Sequence, residues 1–200
     1  MREASDGHTY YGNVFGGGSG VEPYAPGLWH RAAGIVRGNT VVDITGGHIL
    51  TSVYGGNEHT DVGTYSKDSY GELTIPVSGG LCTVNFGGTA TLGVPRTLEQ
   101  IAAHPVTCYL FGAGKGDQRI FFNTWTNVRE AEVYITGGKI YGSVFGGGED
   151  GHVLEDITVN ISDNAKIGTT GTSYVDGNVF GAGRGFSGDA ITAGSVGGNV

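Results

Sequence analysis

The chain has 200 residues, forty of them glycine, with 38% hydrophobic content, ten tyrosines, eight phenylalanines and a formal net charge of −8. Glycine at this level, with no Gly-X-Y period and only five prolines, excludes collagen, and the apolar and aromatic content argues against a disordered glycine linker. The acidic balance sets aside nucleic acid and anionic lipid as partners, and no stretch approaches the ~18 uninterrupted apolar residues that a membrane span requires.

In chain order, Met1-Arg2-Glu3-Ala4 has no apolar core, so no signal peptide is expected in this stretch. A phrase of a small polar residue, Val, an aromatic and a glycine run then begins at Asn13-Val14-Phe15-Gly16-Gly17-Gly18. It returns at Ser52-Val53-Tyr54-Gly55-Gly56 and, more loosely, at Val84-Asn85-Phe86-Gly87-Gly88. Further copies are Tyr109-Leu110-Phe111-Gly112-Ala113-Gly114, Ser143-Val144-Phe145-Gly146-Gly147-Gly148 and Asn178-Val179-Phe180-Gly181-Ala182-Gly183. Around two of these the likeness is longer: Val42–Gly56 matches Val133–Gly147 without a gap, as Val-x-Ile-Thr-Gly-Gly-x-Ile followed by the aromatic phrase. A variant runs from Ile157 to Gly168.

Apolar residues two apart, such as Val133 and Ile135, fall on one face of a strand, and Gly-Gly suits the corners between short strands. A strand-sized unit that cannot bury its apolar face alone implies stacked repeats. The expectation is therefore an all-β chain over residues 1–200 forming one parallel β-helix, right-handed, its coils about 4.8 Å apart. Coils of roughly 20–30 residues would number about seven to nine. Val14, Val53, Val144 and Val179 are expected to form one apolar ladder. Alternation sends the following rings, Phe15, Tyr54, Phe86, Phe111, Phe145 and Phe180, to the other face, where they either line up exposed or fold over the glycine corners; folding over is preferred, because an open aromatic stripe invites aggregation.

From Val94 to Ala131 the pattern breaks. Arg96 to His104 reads as a short helix, with Thr97 as its cap and Pro105 as its end. Gln118–Trp125 adds an aromatic run, and an insertion on a stacked-repeat protein often marks the binding face, so Phe121, Phe122 and Trp125 are the candidate ligand contacts. At the other end, Ser195-Val196-Gly197-Gly198-Asn199-Val200 reads as a copy of the aromatic phrase cut before its Phe, as expected of a segment from a longer repeat protein.

Searches for catalytic and metal motifs return little. Gly146–Gly151 fits G-x-G-x-x-G but leads into a strand where a dinucleotide site needs a helix, and Gly112–Gly116 lacks the Ser or Thr of a phosphate loop. The histidines at 8, 30, 48, 59, 104 and 152 show no close pairing. Glu149 and Asp150 beside a glycine corner suit Ca²⁺, although the repeat that usually builds such sites is absent. Cys82 and Cys108 are read as two free, buried thiols, and no cofactor, resident metal or catalytic residue is assigned.

The repeated Ile-Thr-Gly-Gly-x-Ile-x-Gly-Ser-Val-Phe-Gly-Gly-Gly resembles the glycine-rich parallel β-helix repeats of very large adhesin-like surface proteins of gut bacteria. The resemblance implies an extracellular or cell-surface module, a stalk or adhesin-like scaffold, flanked by repeats of the same chain and meeting a glycan or a surface protein. The alternative is a polysaccharide lyase or glycoside hydrolase of the parallel β-helix class, which would need a charged groove. Asp43, Asp61 and Asp68, and Arg119 and Arg129, are the groups available for one.

Overall fold

The computed structural model describes residues 2–3, 9–10, 13–20, 33–67, 73–103, 108–116, 126–169, 177–185 and 194–200. Among these the chain is nearly all β, with one helix of six residues, Leu98–Ala103. Three parallel sheets dominate. The long sheet aligns Thr40–Ile44, Leu81–Phe86, Glu130–Ile135 and Ile157–Ile161. A short sheet aligns His48–Ile49, Thr91–Leu92, Lys139–Ile140 and Lys166–Ile167. The aromatic sheet has five strands, Val14–Phe15, Val53–Tyr54, Tyr109–Phe111, Ser143–Phe145 and Val179–Phe180.

The long sheet alternates as its sequence does. Thr40, Val42 and Ile44 are buried while Val41 and Asp43 are exposed, and the next strand repeats this with Cys82, Val84 and Phe86 inside. Phe86 is therefore aligned with Ile44 and Ile135 in the core, not with the ladder aromatics, which corrects its assignment to the aromatic phrase. A glycine pair follows it by coincidence, because the corner after the long strand is itself glycine-rich.

In the aromatic sheet the spacing exceeds a period of 20–30 residues, whereas the last two strands of the long sheet, with Ile135 aligned to Ile161, keep to it. Equivalent positions joined across neighbouring strands of the aromatic sheet lie 39 residues apart at Asn13 and Ser52, 57 at Ser52 and Tyr109, and 35 at Ser143 and Asn178. The expected seven to nine coils become a five-stranded sheet, because excursions leave the sheets between strands. One is an antiparallel hairpin of Thr64–Lys67 with Leu73–Ser78. Another carries the helix, whose N-terminus is a capping box: Thr97 Oγ1 accepts from the Gln100 N–H at 3.2 Å, and Gln100 Oε1 accepts from the Thr97 N–H at 2.9 Å. Residues 94–131 are accordingly not one insertion, since Tyr109–Phe111 pairs on both sides and Asn127–Val128 pairs with His152–Val153.

The C-terminal residues also sit elsewhere than the phrase suggests. Val196 bridges Val153, the Ile157 N–H donates to the Asn199 carbonyl, and Asn199 donates to Asp156 Oδ1. Asn199-Val200 thus lies beside the start of Ile157–Ile161 in the long sheet, outside the aromatic sheet. Local sequence looks alike in the two places because both are an Asn-Val step.

Glycine serves two separate purposes. At the corner after the long strands, Gly47, Gly88 and Gly138 have φ of 83°, 58° and 73°, a left-handed conformation. After the aromatic, Gly16, Gly55, Gly112 and Gly146 need no such φ. A methyl on any of them would collide with the carbonyl oxygen of the equivalent glycine in the next strand. Here the requirement is close backbone approach.

Candidate functional site

Val14, Val53, Leu110, Val144 and Val179 align in the aromatic sheet, and the inner members enter the main core with Val42, Val84 and Val133. On the opposite face Phe15, Tyr54, Phe111, Phe145 and Phe180 stack one upon the next, with centroids 4.8, 5.0, 5.1 and 4.7 Å apart and planes within 17° of parallel. The ring spacing is close to the strand spacing, so each ring is carried into contact by backbone pairing. Tyr54, Phe111 and Phe145 are buried, whereas Phe180 is 46% exposed. The inner rings therefore offer no open aromatic stripe.

The fourth residue after each ladder aromatic forms a further strip that sequence reading missed. Ser19, Glu58, Lys115, Glu149 and Arg184 hold these places, and single-residue bridges join Ser19 to Glu58, Glu58 to Lys115 and Glu149 to Arg184. Charge alternates along it. Ser19 Oγ donates to Glu58 Oε2 at 3.0 Å, Lys115 Nζ donates to Glu58 Oε1 at 3.1 Å, and Arg184 lies 4.6 Å over the Tyr109 ring. The Tyr54 hydroxyl donates to Glu149 Oε2, tying two strands together across the intervening Phe111. Burial pushes the Glu149 carboxyl above its ordinary range, against the Tyr54 hydrogen bond and the neighbouring Lys115 and Arg184, which pull it down. Burial, with Glu149 beside it, also raises the Tyr54 hydroxyl. The constant offset from the aromatic was the signal available in the sequence.

The other candidates are dispersed. Asp43 is exposed on the long sheet and accepts from Asn85 Nδ2 at 2.6 Å. Asp61 is buried, its Oδ1 accepting from the backbone N–H and side-chain amide of Asn127 at 2.9 and 3.0 Å. Arg129 pairs with Glu130 at 3.2 Å and lies 4.0 Å from Glu155. The structure does not bring Asp43 and Asp61 to one groove. Asp68 and Arg119, and with them Phe121, Phe122 and Trp125, lie outside the described residues. Of the histidines, His48 Nε2 lies 2.7 Å from the Gly93 carbonyl, His152 Nδ1 lies 2.7 Å from Ser195 Oγ, and His59 lies 4.0 Å from Glu58; His8, His30 and His104 are likewise outside.

Among the described residues no three His, Cys, Asp or Glu side chains gather as metal ligands, and Glu149 already accepts from Tyr54 beside the buried Asp150. Cys82 and Cys108 are free and buried in different apolar clusters, and burial pushes the Cys82 thiol up to about 12. Among the described residues no helix is long and apolar enough to cross a membrane. Comparison with protein-family models, with curated proteins and with solved structures finds no match to this chain.

Proposed function

We propose that the chain is a parallel β-helical repeat module acting as a rigid stalk or binding scaffold of a larger secreted or surface protein. The observation that carries this reading is continuity. The aromatic sheet keeps one register through five strands, with a ring stack on one face and an apolar ladder on the other. A long strand, a short strand and an aromatic strand follow one another in sequence on successive passes, which supports one coil winding through all three sheets. Each strand contributes backbone pairing and packing, which stiffen a spacer without any ligand.

The surface setting rests on the resemblance of the repeat to adhesin-like proteins. On the same reading a glycan or a surface protein is met through the aromatic run at Phe121, Phe122 and Trp125, and flanking repeats of the same kind stack on the exposed Val179 and Phe180.

One observation favours the lyase or glycosidase alternative: Glu149 is a carboxyl with a raised pKa, near Lys115 and Arg184, as a general acid requires. Its hydrogen bond with Tyr54 gives it a structural use instead. Incubation of the protein with acidic and neutral polysaccharides decides between the two. No chain cleavage is expected; product release that disappears in Glu149→Gln or Asp61→Asn would overturn the structural reading.

A further inference from the structure

The corner between the long and short sheets has two lengths. After Thr40–Ile44 and Glu130–Ile135 it has three residues, Thr45-Gly46-Gly47 and Thr136-Gly137-Gly138. After Leu81–Phe86 and Ile157–Ile161 it has four, Gly87-Gly88-Thr89-Ala90 and Ser162-Asp163-Asn164-Ala165. Each longer corner closes on itself, the Ala90 N–H reaching the Gly87 carbonyl at 3.2 Å and the Ala165 N–H the Ser162 carbonyl at 3.3 Å. Register is identical on both sides of the corner: Phe86, Ile135 and Ile161 align, and so do Thr91, Lys139 and Lys166. The extra residue must therefore bulge outwards. The short glycine corner at Gly138 is left recessed between two bulges, and a cleft of about 320 Å³ opens over it.

Gly138 and Lys139 line the cleft together with Thr89, Thr91, Asn164 and Lys166. Two of the four lysines in a chain of net charge −8 thus meet in one depression. Lys139 Nζ donates to the Gly168 carbonyl and lies 5.1 Å over the Tyr141 ring. Burial and the adjacent Lys166 both lower its pKa, the mark of cations that an anion between them would stabilise. The carboxylate on the adjoining corner, Asp163, is paired with Ser162 Oγ at 3.3 Å. The hydroxyls of Thr89 and Thr91, the Asn164 amide and the Lys166 ammonium have no hydrogen bond within the described residues.

We infer that this cleft binds a uronate unit of an acidic polysaccharide, its carboxylate between Lys139 and Lys166 and its ring hydroxyls against Thr89, Thr91 and Asn164. The volume lies at the small end of ligand sites, which suits one sugar ring, and the open mouth lets the polymer continue in both directions. The inference rests on the module being a binding scaffold that does not turn its ligand over.

The test is calorimetric titration of the whole chain with an oligogalacturonate at low salt, beside a neutral oligosaccharide of equal length and inorganic phosphate. Binding of the oligogalacturonate alone is expected, weakened by salt and weakened about tenfold by Lys166→Ala. That side chain has no internal bond, so its removal leaves the fold intact. Thr91→Val is expected to weaken the oligogalacturonate while preserving the salt dependence. Equal binding of the neutral sugar, phosphate binding as tight as the oligosaccharide, or unchanged affinity in Lys166→Ala would overturn the assignment. Cleavage of the bound oligogalacturonate would leave the cleft standing and remove the non-catalytic reading. Absence of binding would remove the cleft alone.

Discussion

Phe145 and Phe180 hold the same place in the same phrase and stack on one another with centroids 4.7 Å apart, yet the first is 7% exposed and the second 46%. Their neighbours Val144 and Val179 differ in the same way, one fully buried and the other 43% exposed. Residue chemistry and register are constant along this sheet. What changes, among the described residues, is whether another strand lies beyond. Burial in such a stack is therefore a property of position, and the same substitution should cost very different amounts in an inner strand and in the last one.

The sharpest test uses the glycines. A methyl on Gly112 would meet the Gly146 carbonyl oxygen and the Val133 side chain, both held on two sides. A methyl on Gly181 would meet the end of the Val200 side chain, which can swing aside. Gly112→Ala is expected to cost about 4 kcal/mol or more, and Gly181→Ala under about 1 kcal/mol, read as shifts in urea unfolding midpoints. Equal costs would mean that strand position does not govern the contact. Next in size, Leu110→Ala leaves a cavity in the main core and is expected to cost about 3 kcal/mol. Val179→Ala removes a half-exposed side chain and is expected to cost under about 1 kcal/mol.

The Tyr54–Glu149 contact extends the comparison to charge. Burial raises the folded-state pKa of Glu149 above the ordinary 4.5, so the folded state binds this proton more tightly than the unfolded chain does. The contribution to stability is fully present below pH 4.5 and declines as pH rises through the folded value. Gln keeps an acceptor for the Tyr54 hydroxyl and removes the titration. Thermal melts of Glu149→Gln are therefore expected to lie above the parent at neutral pH and to converge with it in acid. A constant offset at all pH values would assign the effect to packing.

Much of this was legible in the residues. Val-x-Ile followed by Thr-Gly-Gly announced the long strands and their corners, and Thr97 as cap with Pro105 as end announced the short helix, while the reciprocal bond from Gln100 was not read. The length of a pass was not, because excursions such as the Thr64–Ser78 hairpin obey no repeat and simply lengthen the path between strands. Phe86 was misplaced because a two-residue glycine signal follows both kinds of strand. The charged strip was overlooked because its members share a position and no residue type: Ser19, Glu58, Lys115, Glu149 and Arg184 are related only by distance from a ring. The cleft at Gly138 depends on a difference of one residue between corners, visible only once register fixes both ends.

Those corners also carry the smallest expected effect. Asp163 holds the place that Gly88 holds in the other long corner, and the two have nearly the same φ, 53° and 58°. An Asp side chain tolerates this left-handed backbone better than most but still pays steric strain there. Glycine removes that strain while adding freedom to the unfolded chain, and the two terms oppose each other. The Ser162 hydrogen bond lost with the side chain is exposed and adds little. Asp163→Gly is therefore expected to stabilise by only about 0.5 kcal/mol. The reverse change differs in kind: a side chain on Gly88 would run into the Thr45 carbonyl of the preceding strand's corner, so Gly88→Asp is expected to destabilise by about 2 kcal/mol. Paired urea titrations of the two variants read the asymmetry. Symmetric effects would mean that both corners answer only to φ, and that the neighbouring strand contributes nothing to the choice of glycine.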